Sequence, residues 1–111
     1  MTEKNFTDFT ISPEIIQALS KMNYLHPTEV QQKVIPIAMG NQDLIVKAQT
    51  GSGKTAAYGI PICHHIEWID NKPQALILTP LRASAAQVKE DLTNIGRFKA
   101  MHTAYDYGKH F

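Results

Sequence analysis

Ala48-Gln49-Thr50-Gly51-Ser52-Gly53-Lys54-Thr55 is the stretch from which the rest of the chain is read. The apolar, β-branched run Leu44-Ile45-Val46 leads into it, and a helix-compatible segment beginning at Lys54 leads out, so two glycines stand between a strand and a helix. A phosphate fits at such a junction. Gly51 and Gly53 let the backbone turn through unusual φ values and approach an anion with no Cβ in the way. Their N–H groups, with those of the first helical turn, would point at phosphate oxygens, and the helix dipole adds partial positive charge. Lys54 would reach the β/γ-phosphates and the Thr55 hydroxyl a Mg²⁺ ion. The general pattern G-x-x-x-x-G-K-[ST] is missed only at its first position, where Ala48 replaces Gly. The plain alternative is a Gly-Ser-Gly turn beside a chance Lys-Thr.

The bulk properties bound the answer. With 111 residues, the chain is one domain at most, and its 43% hydrophobic content suits a globular core of modest stability. A formal charge of +1 gives no strong basic field, so nucleic-acid binding would have to rest on a local groove. A single cysteine, Cys63, excludes an intramolecular disulfide. The polar start Met1-Thr2-Glu3-Lys4-Asn5 does not read as a signal peptide, and no apolar run approaches the roughly 20 residues of a membrane span. A cytoplasmic protein without membrane contact is expected.

Residues 1–11 carry Phe6 and Phe9 in a segment too polar to read as core. Ser12-Pro13-Glu14 reads as N-cap, first helical residue and first-turn carboxylate of a helix running to about Met22. After a break before Pro27, Thr28 caps a second helix whose inward face is Val30, Val34, Ile37 and Ala38, with a kink at Pro36 and an end at Gly40. Asp43 to Lys47 reads as a strand buried on both faces. A helix from about Lys54 towards Trp68, interrupted at Gly59 and Pro61, follows it. Ala75 to Leu78 is a second strand, Ser84 to Ile95 a helix with Ala85, Val88, Leu92 and Ile95 on one face, and Ala100 to Tyr107 a third strand. Strands alternating with helices imply an α/β fold with a parallel sheet.

The segment Tyr24-Leu25-His26-Pro27-Thr28-Glu29-Val30-Gln31, followed by Ala48 to Thr55, resembles the N-terminal part of the first RecA-like domain of a bacterial DEAD-box RNA helicase. The match runs from Phe9 to about Val88. In that family the first segment is the adenine-reading Q motif, and A-x-T-G-x-G-K-T is the family's own phosphate loop, which accounts for Ala48. The resemblance implies a three-layer P-loop sheet flanked by helices, here incomplete, with a Q-motif region at 1–40 and the phosphate loop and following β/α units at 41–111. It implies that ATP or ADP, with Mg²⁺, is held by Phe9, Tyr24, Thr28, Gln31, Gln49, Thr50, Gly51, Ser52, Gly53, Lys54 and Thr55. Gln31 would pair with the adenine edge, since an amide offers a donor and an acceptor that suit N7 and N6. Phe9 and Tyr24 would lie against the base. Thr28-x-x-Gln31 is also a capping box, and the two roles can share the same residues. Asn23 stands where the family usually has Gly, at a position that tolerates φ > 0.

Departures gather towards the C-terminus. The family's RNA-holding P-T-R-E-L-A reads Pro80-Leu81-Arg82-Ala83-Ser84-Ala85, which keeps Pro80 and Arg82 but loses a hydroxyl and a carboxylate, so RNA contact is expected to be weak or lost. The Gly-Gly pair expected after the third strand appears as Gly108-Lys109. The D-E-A-D and S-A-T motifs and the second domain do not appear before Phe111, so nucleotide binding without turnover is the expectation, together with self-association of an incomplete sheet. The competing expectation is an engineered, non-enzymatic binding or self-assembling protein on the same scaffold. Cys63-His64-His65 invites a metal reading, but adjacent helical residues point about 100° apart.

Overall fold

A computed structural model describes residues 5–49, 51, 53–66 and 74–99. In chain order it contains a 3-10 turn (Phe6–Asp8), α1 (Pro13–Lys21), α2 (Glu29–Met39), α3 (Lys54–His65), α4 (Arg82–Ile95) and a second 3-10 turn (Arg97–Lys99). α2 and α4 both pack on α3, and α1 rests against α3, α4 and the second turn. Between them lies one apolar cluster of Phe6, Ile15, Leu19, Ile35, Ala56, Ile60, Cys63, Leu92 and Ile95. Burying a side chain of this size contributes about 1.5–3 kcal/mol, so this cluster carries the fold.

Each helix begins and ends for a local reason. Pro13 supplies a fixed φ at the first position of α1, Glu14 lies in its first turn and Lys21 in its last, both favourable to the helix dipole. Ser12 occupies the cap position without capping, since its side chain accepts no bond from the helix. α2 opens on Thr28 with both bonds of a capping box in place. Its end differs in detail from expectation, because Gly40 has φ −87° and the left-handed residue is Asn41 at 59°. Asn tolerates that region through local hydrogen bonding. Asn23 is left-handed too, at φ 61°, where the resemblance expects Gly.

α3 runs unbroken through Gly59 and Pro61 and stops at His65, which corrects the expected interruption; Trp68 lies outside the described residues. Gly59 is there for packing. A Cβ at that position would sit 2.9 Å from Leu92 Cδ2 and 3.3 Å from Ile95 Cδ1, so its absence lets α4 approach closely. The end of α3 is held by Lys99, whose ammonium donates to the carbonyls of Cys63 (2.8 Å), His64 (2.9 Å) and Ile66 (2.8 Å). A cation on otherwise orphaned C-terminal carbonyls also opposes the negative end of the dipole.

Two burial expectations are corrected. Phe6 is 4% exposed and belongs to the core. The turn that carries it is closed by the Asn5 N–H donating to Asp8 Oδ2 at 2.8 Å, which folds the ring inward from a polar segment. In α2 the inward residues are Gln31, Val34 and Ile35, while Ile37 is exposed. The stripe is rotated because Gln31, a polar residue, is turned in.

The larger correction concerns the sheet. No strand occurs among the described residues, and Asp43–Lys47 and Ala75–Leu78 belong to no regular element. Ile45 is 92% exposed, Leu76 77% and Leu78 85%, so the first strand is not buried on both faces. A helix closes its hydrogen bonds within itself, whereas a strand needs a neighbour to accept and donate. These two segments instead line one groove of about 600 Å³ with Val34, Tyr58, Pro61 and Ile62. The expected third strand, 100–107, lies outside the described residues.

Candidate functional site

The start of α3 follows a glycine turn. Gly51 (φ 85°) and Gly53 (φ 88°) are both left-handed, as the turn into such a helix requires. Gly53 is the N-cap, and no side chain caps the first turn. The helical ladder begins only with the Ala57 N–H donating to the Gly53 carbonyl at 3.1 Å. The N–H groups of Lys54, Thr55 and Ala56 precede that bond at the positive end of the dipole. No acidic residue lies in the first turn to repel an anion, Lys54 is exposed and Thr55 half-buried. A Cβ on Gly51 would meet nothing within 4 Å, so space is open on that side of the loop. A phosphate and its Mg²⁺ fit this donor set. Thr50 and Ser52 lie outside the described residues, and Gln49 is exposed.

The start of α2 abuts this glycine turn. Gln31 is 3% exposed, the one buried polar residue in the described core. Its Oε1 accepts the Thr28 N–H at 2.9 Å, and its own N–H donates to Thr28 Oγ1 at 3.4 Å. Its Nε2 then donates to the Gly53 carbonyl at 3.2 Å. The capping box is therefore also a strut between α2 and the phosphate loop. The fit is close: a Cβ on Gly53 would lie 2.5 Å from Gln31 Nε2 and 2.9 Å from Thr28 Oγ1. An amide has two donors and two acceptor lone pairs, so one of each remains on Gln31 after these bonds.

The other expected residues are placed elsewhere. Tyr24 is at the surface beside the left-handed Asn23. Phe9 is half-buried against the core and lines a separate shallow groove of about 380 Å³ with Thr7, Ile11, Pro13, Ile16 and Gln17. That groove contains neither Gln31 nor the loop. Pro80 and Arg82 are exposed where α4 begins, and the Thr79 hydroxyl donates to the Leu81 carbonyl at 3.2 Å. The groove beside the two apolar segments includes no residue of 48–55.

At the opposite end of α3 the three neighbours of the metal reading diverge. Cys63 is fully buried, with Sγ 3.9 Å from the Leu92 carbonyl, and burial pushes its thiol up to about 12 against an opposing pull from Lys99. His64 Nδ1 accepts the Ser12 N–H at 3.1 Å. His65 is exposed, its ring edge-on to His64. No group of three or more His, Cys, Asp or Glu residues converges among the described residues. Sequence reading missed Lys99, for which no local signal exists, and missed the Gly53 carbonyl as the acceptor for Gln31.

Comparison with known proteins accords with this geometry. A family model described as DEAD/DEAH box helicase matches residues 28–110. The chain is 56% identical over 105 residues to the ATP-dependent RNA helicase DbpA of Bacillus subtilis (strain 168), a match covering 95% of this chain and 22% of that protein. Among solved structures, it superposes on a DEAD box protein from the hyperthermophile Methanococcus jannaschii with TM-score 0.88 at 35% identity, covering 99% of this chain and 31% of that one. It also matches the RNA-helicase Prp28 from Chaetomium thermophilum bound to ADP, with TM-score 0.87 at 32% identity, covering 97% and 28%. The chain thus spans about a fifth of the length of the curated relatives it matches. These solved neighbours are RecA-like helicase domains, which gives the fold as RecA-like while the sheet itself is not among the described elements. No described helix is long and apolar enough to cross a membrane.

Proposed function

The chain belongs to the DEAD/DEAH box helicase family, and from that premise we propose that it is the adenine-nucleotide-binding part of an ATP-dependent RNA helicase. The start of α3 holds the phosphates and the start of α2 reads the base. The observation that carries this reading is the bond from Gln31 Nε2 to the Gly53 carbonyl, because it fixes the amide beside the uncapped helix end where phosphates fit. The spare donor and acceptor of Gln31 suit adenine, and Lys54 and the Thr55 hydroxyl would meet the phosphates and their Mg²⁺. Contact of Tyr24 and Phe9 with the base rests on the family resemblance alone, since Phe9 lines a groove apart from Gln31. The ADP in the Chaetomium relative supports the ligand class. In this chain RNA contact through Pro80 and Arg82 is weak, and hydrolysis stays at the buffer rate.

Titration of the melting temperature with Mg·ADP, Mg·ATP and Mg·GTP tests the reading. The adenine nucleotides should raise it more than GTP, and Lys54→Ala should remove most of the shift. Equal shifts with GTP remove the adenine role of Gln31, and no shift with any nucleotide leaves a non-enzymatic assembly protein. Phosphate release that RNA stimulates and Lys54→Ala abolishes would show a minimal enzyme instead.

A second copy of this chain is the partner proposed for the apolar face around Leu44, Ile45, Val46, Leu76 and Leu78. Their exposure favours it. Strand addition across a two-fold axis would also satisfy the backbone groups of both segments. Sedimentation at micromolar concentration should show a dimer or larger species, and a monomer at every concentration would sink the proposal.

A further inference from the structure

The contact between Ser12 and His64 joins the beginning of α1 to the end of α3 across 52 residues of sequence. Its chemistry restricts the ring to one charge state. The backbone N–H of Ser12 donates to Nδ1, so that nitrogen must present a lone pair, and the ring is the neutral Nε2–H tautomer. An imidazolium carries a proton on both nitrogens and would face one donor with another.

We propose that this contact is an acid-sensitive latch: neutral His64 holds the start of α1, and with it the arm Phe6–Ile11, against the end of α3, and protonation of the ring releases it. Three features make the release one-sided. The Ser12 hydroxyl is buried with no hydrogen-bond partner among the described residues, and it does not cap α1, so no side-chain bond from Ser12 secures the junction once the first is lost. The Lys99 ammonium is fixed on the carbonyls of Cys63, His64 and Ile66, so a second positive charge on the ring is placed beside one that cannot move away without uncapping α3. His65 stands edge-on to the same ring.

The titratable groups on α1, α3, α4 and the two 3-10 turns are Asp8 on the first turn, Glu14 and Lys21 on α1, Lys54, Tyr58, Cys63 and His65 on α3 itself, Arg82, Lys89, Glu90 and Asp91 on α4, and Arg97 and Lys99 on the second turn. Burial, then His65, then Lys99 hold His64 below the ordinary histidine range. The sign follows. The unfolded or released ring takes up a proton first as pH falls, so the latch is whole above the ordinary histidine pKa of about 6.5 and is lost as pH falls through the lowered value. The phosphate loop lies at the other end of α3, about 18 Å away for a twelve-residue helix. Acid therefore frees the Phe9 arm and leaves the glycine turn in place, whether or not a nucleotide binds there.

Nitrogen-15 NMR of the full chain between pH 5 and 8 tests the latch. At neutral pH, His64 Nδ1 should give the signal of an unprotonated ring nitrogen, and His64 should titrate below the ordinary histidine range. The Ser12 amide should lose exchange protection severalfold with the same midpoint as His64, and the Phe6, Phe9 and Ile11 signals should shift with it. His64→Gln, whose amide oxygen can still accept, should flatten the response of the arm, and His65→Gln should leave it. A protonated Nδ1 at neutral pH, a Ser12 amide indifferent to His64 titration, or an arm response that survives His64→Gln would each overturn the proposal. The first two readouts need only the unmodified chain.

Discussion

The junction of Thr28, Gln31 and Gly53 and the segments 43–47 and 75–78 all belong to the stretch around the phosphate loop, yet they end in opposite conditions. At the junction a buried amide makes bonds to Thr28 and to Gly53. In the two segments, β-branched and aliphatic side chains lie open to solvent at 77–92% exposure for Ile45, Leu76 and Leu78. The difference is one of self-sufficiency. Helix starts are completed by residues three or four positions away, and packing then needs only an apolar stripe. Strands are completed only by other strands, so their residues can be correct and their structure still absent.

Core substitutions should break the comparison most strongly. Ile60→Ala, at a fully buried position, should cost about 3–4 kcal/mol in chemical denaturation, whereas Ile45→Ala should change stability by less than about 0.5 kcal/mol. Comparable losses at both sites would mean that the segments are packed in solution. Next in size is Gly53→Ala, where a left-handed φ of 88° and a clash with Gln31 should cost about 1–3 kcal/mol and remove any nucleotide-induced rise in melting temperature. Gly51→Ala, strained by φ alone, should cost less, and the reverse ranking would deny the strut.

Lys99→Met should lower stability by about 1–2 kcal/mol by uncapping α3, seen as fraying of His64 and His65 amides in hydrogen exchange. Nil at neutral pH, and appearing only in alkali, is the effect of Cys63 titration. Folding keeps the thiol protonated while the unfolded chain loses its proton from about 9.0 upward, so stability should fall between about 9 and about 12. Melting curves across that window should flatten in Cys63→Ala.

Much of the helical half was legible in the sequence because its signals are local. Ser12-Pro13-Glu14, Thr28-x-x-Gln31 and the glycine loop each sit where the pattern puts them, and Leu92 and Ile95 face the core as their spacing implies. What escaped depends on distant partners. Apolar periodicity alone placed Ile37 inside and ignored Gln31, because it cannot see a polar residue whose partner is 22 positions away. Phe6 escaped because a lone aromatic in a polar segment has no period to follow. Ala75–Leu78 has strand composition, but composition says nothing about which edge is available to pair with it. The left-handed turn at Gly51 and Gly53 was readable, whereas the groove that holds Phe9 apart from Gln31 was not.

The Gly53 carbonyl accepts from both Ala57 N–H and Gln31 Nε2, which ties the growth of α3 to its contact with α2. Closing a loop of 22 residues costs little entropy and is fast, on a scale near that of a ten-residue loop at about 10–100 ns. The strut can therefore form during the first encounters of α2 with the nascent α3. A variant that delays the Thr28 turn would then slow maturation of the loop, while one at Leu92 would act chiefly on how fast the finished chain comes apart.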